Sequence, residues 1–127
     1  MIAVDTSAII AILKNEPAAD RCAQALLADE QVVISAGTLA EALIVAARRN
    51  LSPELATLID DVQWRVEAVT QTSATRAADA YNRWGKGMHP AGLNYGDCFA
   101  YELASRMNCP LLYVGDDFAK TDIQSAL

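Results

Sequence analysis

Apolar positions along the chain fall into two recurring periods. Ile2 to Val4 is a short apolar run that predicts a strand, and from Thr6 the stretch "TSAIIAILKN" switches to helical spacing, with Thr6 or Ser7 as the expected N-cap. "AADRCAQALLAD" follows Pro17 and predicts a second helix, and the β-branched run "QVVISA" from Gln31 predicts a second strand. "TLAEALIVAARRN" from Thr38 predicts a helix capped by Thr38, with Glu41 three residues later. "SPELATLIDDVQ" repeats that logic with Pro53 in its first turn, and "WRVEAV" from Trp64 predicts a short strand. "QTSATRAADAYNRWGKG" predicts a helix from Gln71, ended by Gly85 and Gly87, and "MHPAGLN" a loop. "YGDCFAYELASRMN" is helical from Tyr95, "PLLYVG" from Pro110 is a compact apolar strand, and "DDFAKTDI" closes the chain.

Strands therefore alternate with helices, and the strands are too uniformly apolar to keep one face in water. That pattern points to an α/β fold with a mostly parallel central sheet covered on both sides by helices. At 127 residues and 53% hydrophobic, with no repeat, linker or low-complexity tract, residues 1–127 read as a single domain. No basic leader precedes a long apolar core, and no apolar run approaches the ~18–20 residues of a membrane span. A soluble, cytoplasmic protein without membrane contact is expected. Cys22, Cys98 and Cys109 are odd in number and widely spaced, and His89 is the single histidine, so neither a disulfide framework nor a zinc site is supported.

The formal net charge of −6 argues against nucleic-acid binding by bulk electrostatics. It is also what several carboxylates gathered to hold cations would produce. Two strands end in aspartate: "IAVD" at Asp5 and "LLYVGDD" at Asp116 and Asp117. In parallel sheets ligands collect beyond the carboxyl ends of the strands, where these acids would lie. Glu41 and Asp97 join them from predicted helix starts. Four carboxylates crowded at one edge repel by ~4 kcal/mol per pair at ~4 Å and an effective dielectric of about 20, so cations are required. Oxygen ligands without His or Cys favour Mg²⁺ or Mn²⁺, ions that serve phosphate-ester chemistry.

Simpler explanations exist for each acid taken singly. Thr38 to Glu41 reads as a capping box, and Asn94 to Asp97 resembles one, so both helix-start acids fit helix stability alone. Asp5 fits a strand-to-helix turn, and Asp116-Asp117 a surface turn. Two aspartates at two parallel strand ends are harder to explain that way. Arg76, Arg83 and Lys86 recur at spacings of seven and three, which fits a solvated helix face or a phosphate-gripping rim beside the acidic centre. Cys98 has no cationic neighbour in sequence to activate it, and His89 lies in a loop where a surface position is expected.

With "VDTSAI", the helix-start Glu41, "LNYGDCFAYELA" and "LLYVGDDFAKTDI" in this order and spacing, the chain resembles the PIN-domain ribonucleases, specifically the VapC-type toxins of bacterial toxin–antitoxin (VapBC) pairs. The resemblance spans essentially the full length. It implies a PIN-like three-layer α/β/α sandwich and a Mg²⁺- or Mn²⁺-dependent endoribonuclease acting on structured RNA. It implies a homodimer and a cognate VapB-type antitoxin, through which alone operator DNA would be contacted. Asp5, Glu41 and Asp97 match the family's metal-site acids, Asp116 or Asp117 supplies the fourth, and Thr6 matches a hydroxyl residue that orients metal-bound water. The apolar positions Leu26, Leu27 and Leu43 are candidates for an antitoxin groove. Two other readings stay open: an aspartate-dependent phosphatase, whose usual second acid is replaced here by Ser7, and a non-catalytic metal-binding or antitoxin-binding module.

Overall fold

The β1 strand (Ile2–Val4) is sandwiched between β2 (Val32–Ser35) and β4 (Leu111–Leu112), with β3 (Arg65–Glu67) beyond β2, in the computed structural model, which describes residues 1–127. Every pairing is parallel, giving the order β3-β2-β1-β4. Helices α1 (Thr6–Leu13), α2 (Ala19–Ala28), α3 (Ala36–Arg48), α4 (Ser52–Val62), α5 (Gln71–Trp84) and α6 (Tyr95–Met107) connect the strands, and a 3₁₀ turn spans Phe118–Lys120.

Strand alternation divides the interior in two. Ala3, Val33 and Leu111 face one side, where they pack with Ala77 and Ala80 of α5 and Ala100, Leu103 and Ala104 of α6. Ile2, Val4, Val32, Ile34 and Leu112 face the other, with Ala8 and Ile9 of α1, Cys22 and Leu26 of α2, Ala42 and Ala46 of α3, and Leu55 of α4. The two cores hold 15 and 13 buried residues, so neither face of the sheet is left wet and the architecture is a three-layer α/β/α sandwich. No helix is long and apolar enough to cross a membrane.

The chain proceeds from β1 outward to β2 and β3, then returns to lay β4 on the opposite side of β1. Between β1 and β4 the winding direction reverses, and in open parallel sheets a crevice forms at that point beyond the carboxyl ends. Asp5 leaves β1 there, and the Gly115-Asp116-Asp117 turn follows β4. The outer edge of β4 is closed by the C-terminal tail, with Leu111 N donating to Gln124 O and Ala126 N donating to Leu111 O.

Several element boundaries differ from expectation. α1 is capped by Asp5, not by Thr6 or Ser7. α3 begins at Ala36, with Ser35 Oγ accepting from Gly37 N at 3.2 Å, so β2 runs directly into the helix. Thr38 is then a buried residue of the first turn and Glu41 lies in the second, which removes the capping-box explanation for Glu41. β4 is only two residues long because its ladder with β1 ends where Asp5 turns into α1.

Candidate active site

Asp5 forms the floor of the crevice. Its backbone is extended, as an N-cap requires, and Oδ2 accepts from Ser7 N at 3.0 Å and from Ser7 Oγ at 2.6 Å. The other oxygen, Oδ1, is buried with no hydrogen-bond partner, on a residue only 2% exposed. Burial pushes the Asp5 carboxyl up to about 7; the two bonds from Ser7 oppose that rise, and the negative charges of Asp97 and Glu41 add to it.

Glu41 reaches the crevice from α3, where its Oε1 accepts from Thr6 Oγ1 at 2.6 Å. Its carboxylate lies flat against Gly96, at which any Cβ would collide with it. Gly96 is therefore part of the site: a larger residue would push Glu41 aside. Asp97 occupies the third position of α6, and its Oδ2 accepts from Asn94 N while Asn94 Oδ1 accepts from Asp97 N, each at 2.9 Å. The capping box expected there is real, but it uses one carboxylate oxygen and leaves the other. Burial raises the Asp97 carboxyl above its ordinary value, the Asn94 bond opposes this, and the charges of Asp117 and Glu41 raise it further.

Asp5 feels the charges of Asp97 and Glu41, and Asp97 those of Asp117 and Glu41, which brings a buried acid and an exposed one into the same group. Asp116 and Asp117 are both exposed, and of the two it is Asp117 whose charge raises the Asp97 carboxyl. Ser7 is a further residue of the candidate site. Besides donating to Asp5, its Oγ accepts from Val114 N at 3.0 Å, so one hydroxyl joins the ends of β1 and β4. An acid followed two residues later by serine is a legible turn-and-cap pattern. Gly96, by contrast, carries no sequence signal, because its role depends on a side chain from another helix.

No three His, Cys, Asp or Glu side chains converge closely enough to share a metal ion directly. A small hard cation does not require that. Mg²⁺ keeps several waters and is commonly held by one or two carboxylates together with substrate phosphates. An oxygen-only donor set and a buried, unpartnered Asp5 oxygen fit such an ion.

The basic residues do not share one face. Arg83 lies over the Trp84 ring at 4.4 Å and 3.6 Å from Asp122, and with Arg76 it lines a hollow of about 330 Å³ beside Arg106. Lys86 lies past the end of α5 and lines a different hollow, next to Asn94 and Tyr95. His89 Nδ1 accepts from Ala91 N at 3.0 Å and its ring packs edge-on against Trp84, a structural role. Burial pushes the Cys98 thiol up to about 11, which leaves it unreactive.

The sequence profile of the PIN domain matches residues 2–124. The chain belongs to the PIN-domain family. Within it, the chain belongs with the VapC ribonucleases. It is 44% identical to Ribonuclease VapC28 of Mycobacterium tuberculosis over 98% of this chain and 96% of that protein. It is 41% identical to Ribonuclease VapC of Mycolicibacterium smegmatis over 94% of this chain and 95% of that protein. The fold matches the crystal structure of Mycobacterium tuberculosis VapC20, a sarcin-ricin-loop-cleaving toxin, with a TM-score of 0.77 at 18% identity over 97% of this chain and 96% of that one. A toxin–antitoxin complex from Klebsiella pneumoniae matches with a TM-score of 0.72 at 18% identity over 96% and 93% of the two chains.

Proposed function

We propose that this chain is a metal-dependent endoribonuclease and the toxin of a type II toxin–antitoxin pair, with Mg²⁺ or Mn²⁺ held at the β1/β4 crevice. The observation that carries this reading is the buried, unpartnered Oδ1 of Asp5, whose carboxyl is raised further by the charges of Asp97 and Glu41. One or two of Asp5, Glu41, Asp97 and Asp117 would hold the ion directly and the others through its bound waters, while Thr6 and Ser7 orient the Glu41 and Asp5 carboxylates by hydrogen bonds. Once bound, a divalent cation supplies a nucleophile at neutral pH and neutralises charge on the phosphodiester. The protein's own part is to keep the Asp5 and Glu41 carboxylates in fixed rotamers on a rigid sheet edge, so that little reorganisation is needed when substrate arrives.

Structured RNA as substrate, a homodimer and a VapB-type antitoxin belong to the same proposal. The Klebsiella pneumoniae neighbour, a toxin–antitoxin complex, supports the antitoxin partner. Leu27, Leu43 and Ile44 are 68%, 48% and 58% exposed and supply an apolar surface for it, whereas Leu26 is buried in the core and takes no part.

The test is cleavage of total RNA with and without Mn²⁺ by the native chain, Asp5→Asn and Asp97→Asn. Metal-dependent cleavage that both variants lose is the expected result. Pure, antitoxin-free, Mn²⁺-loaded native protein that leaves RNA intact would overturn the nuclease reading in favour of a binding module.

A further inference from the structure

Beside the acidic crevice, on the flank of α5 where it crosses α6, lies a hollow of about 560 Å³ that the catalytic reading does not use. Alanines of α5 line it together with Phe99, Tyr81 and Tyr95, and Asn82, Lys86 and Asn94 supply its polar groups. The volume falls within the ~300–1,000 Å³ range of small-ligand sites. Two features make it more than a surface dent. Tyr95, the first residue of α6, is 77% exposed, and its ring meets Phe99 edge to face with centroids 5.0 Å apart, so the fold holds an aromatic ring in place without covering it. Asn94 lines this hollow and is also the residue whose backbone N–H binds Asp97 Oδ2 at 2.9 Å, so hollow and acidic cluster share a wall.

We propose that this hollow is the subsite for one unstacked nucleobase of the RNA, next to the phosphodiester at the acidic crevice; this rests on the nuclease reading above. Aromatic rings in an otherwise apolar lining suit the face of a base, and amide groups suit its hydrogen-bonding edge. Asn94 spends its Oδ1 on the α6 cap and keeps its NH₂ as a donor. Lys86, exposed at the same hollow, supplies a positive charge for an adjoining phosphate in a protein whose net charge is −6. The site therefore selects by stacking and edge contacts, with Tyr95 as the principal platform.

The test compares binding, in EDTA so that no cleavage occurs, of a fluorescein-labelled single-stranded adenine octaribonucleotide and of the same ribose-phosphate chain without bases. Native protein is expected to prefer the intact strand by about tenfold or more, the scale of one base–aromatic stack. Tyr95→Ala is expected to abolish that preference, and Tyr95→Phe to retain it. Equal affinity of native protein for the two strands, or a Tyr95→Ala variant that keeps the preference, would overturn the proposal. So would a Tyr95→Ala variant that changes its mass in solution while binding RNA as before, because the hollow would then be an interface between copies of the chain. Cleavage of total RNA with Mn²⁺ is measured on the same samples, so failure of the nuclease reading and failure of the base subsite give different results.

Discussion

Thr6 Oγ1 donates to Glu41 Oε1 at 2.6 Å, joining the residue that follows Asp5 to the second turn of α3, 35 positions later. Asp5 and Glu41 are like charges, and the Glu41 charge adds to the rise of the Asp5 carboxyl. A hydrogen bond from Thr6 to one and from Ser7 to the other fixes both carboxylates where repulsion alone would splay them apart.

Thr6→Val removes the hydroxyl and keeps the branched shape. Affinity for Mn²⁺, measured by calorimetric titration, is expected to fall about 10- to 100-fold, the usual cost of losing a residue that orients a metal ligand. The fold should persist, since a single buried hydrogen bond contributes only about 0.5–1.5 kcal/mol. Unchanged Mn²⁺ affinity would show that Thr6 does not position Glu41 for an ion.

The raised carboxyl of Asp5 gives a stability prediction with a definite sign. Its folded-state value of about 7 stands above the ordinary 3.8, so its contribution to stability is complete below about pH 4 and is lost as pH rises through 7. In EDTA, native protein should therefore lose stability relative to Asp5→Asn between pH 4 and pH 8, by up to about 4 kcal/mol. Urea unfolding at the two pH values measures this. Added Mn²⁺ at pH 8 should stabilise the native chain and leave the variant unaffected.

Gly96→Ala tests the close approach of two helices. Gly96 lies within α6, where alanine is favoured by about 1 kcal/mol, yet its Cβ would meet the Glu41 carboxylate. The expected outcome is a folded protein whose melting temperature changes little and whose RNA cleavage drops about 100-fold, the effect of displacing a reacting-site group by an ångström or so. Full activity in this variant would mean that Glu41 is free to move without consequence.

Tyr101→Phe tests the opposite case, stability without catalysis. The Tyr101 hydroxyl accepts from Trp84 Nε1 at 3.0 Å and donates to Asp122 Oδ1 at 2.6 Å, binding α5, α6 and the C-terminal tail together. Its removal leaves the buried indole N–H unpaired, at a cost of about 1–3 kcal/mol in chemical unfolding. Mn²⁺ affinity of the folded fraction should not change.

Much of this molecule is legible in the amino-acid order because local physics decides it. Apolar runs of two to four residues separated by helical spacings dictate a parallel sheet under two helical layers, and aspartates at the ends of the first and last strands mark the crevice. The Asn94–Asp97 capping box is equally local, and the structure contains it. Contacts between distant segments were not legible in that way. Which of Asp116 and Asp117 acts on Asp97 depends on how the chain leaves β4, and two adjacent acids look alike in sequence. Glu41 looked like a helix cap because a four-residue pattern cannot reveal that Ser35 has already started the helix. Arg76, Arg83 and Lys86 share a helical spacing, but Arg76 and Arg83 line one hollow and Lys86, beyond the end of the helix, lines another. By itself the sequence determined the layers, the direction of the strands and the inventory of carboxylates, all of which follow from periodicity and turn chemistry. Tertiary packing alone decided the Thr6–Glu41 bond, the glycine cradle at position 96, the Ser7 bridge between strands and the isolation of Asp5 Oδ1, because each depends on atoms brought together from segments far apart along the chain.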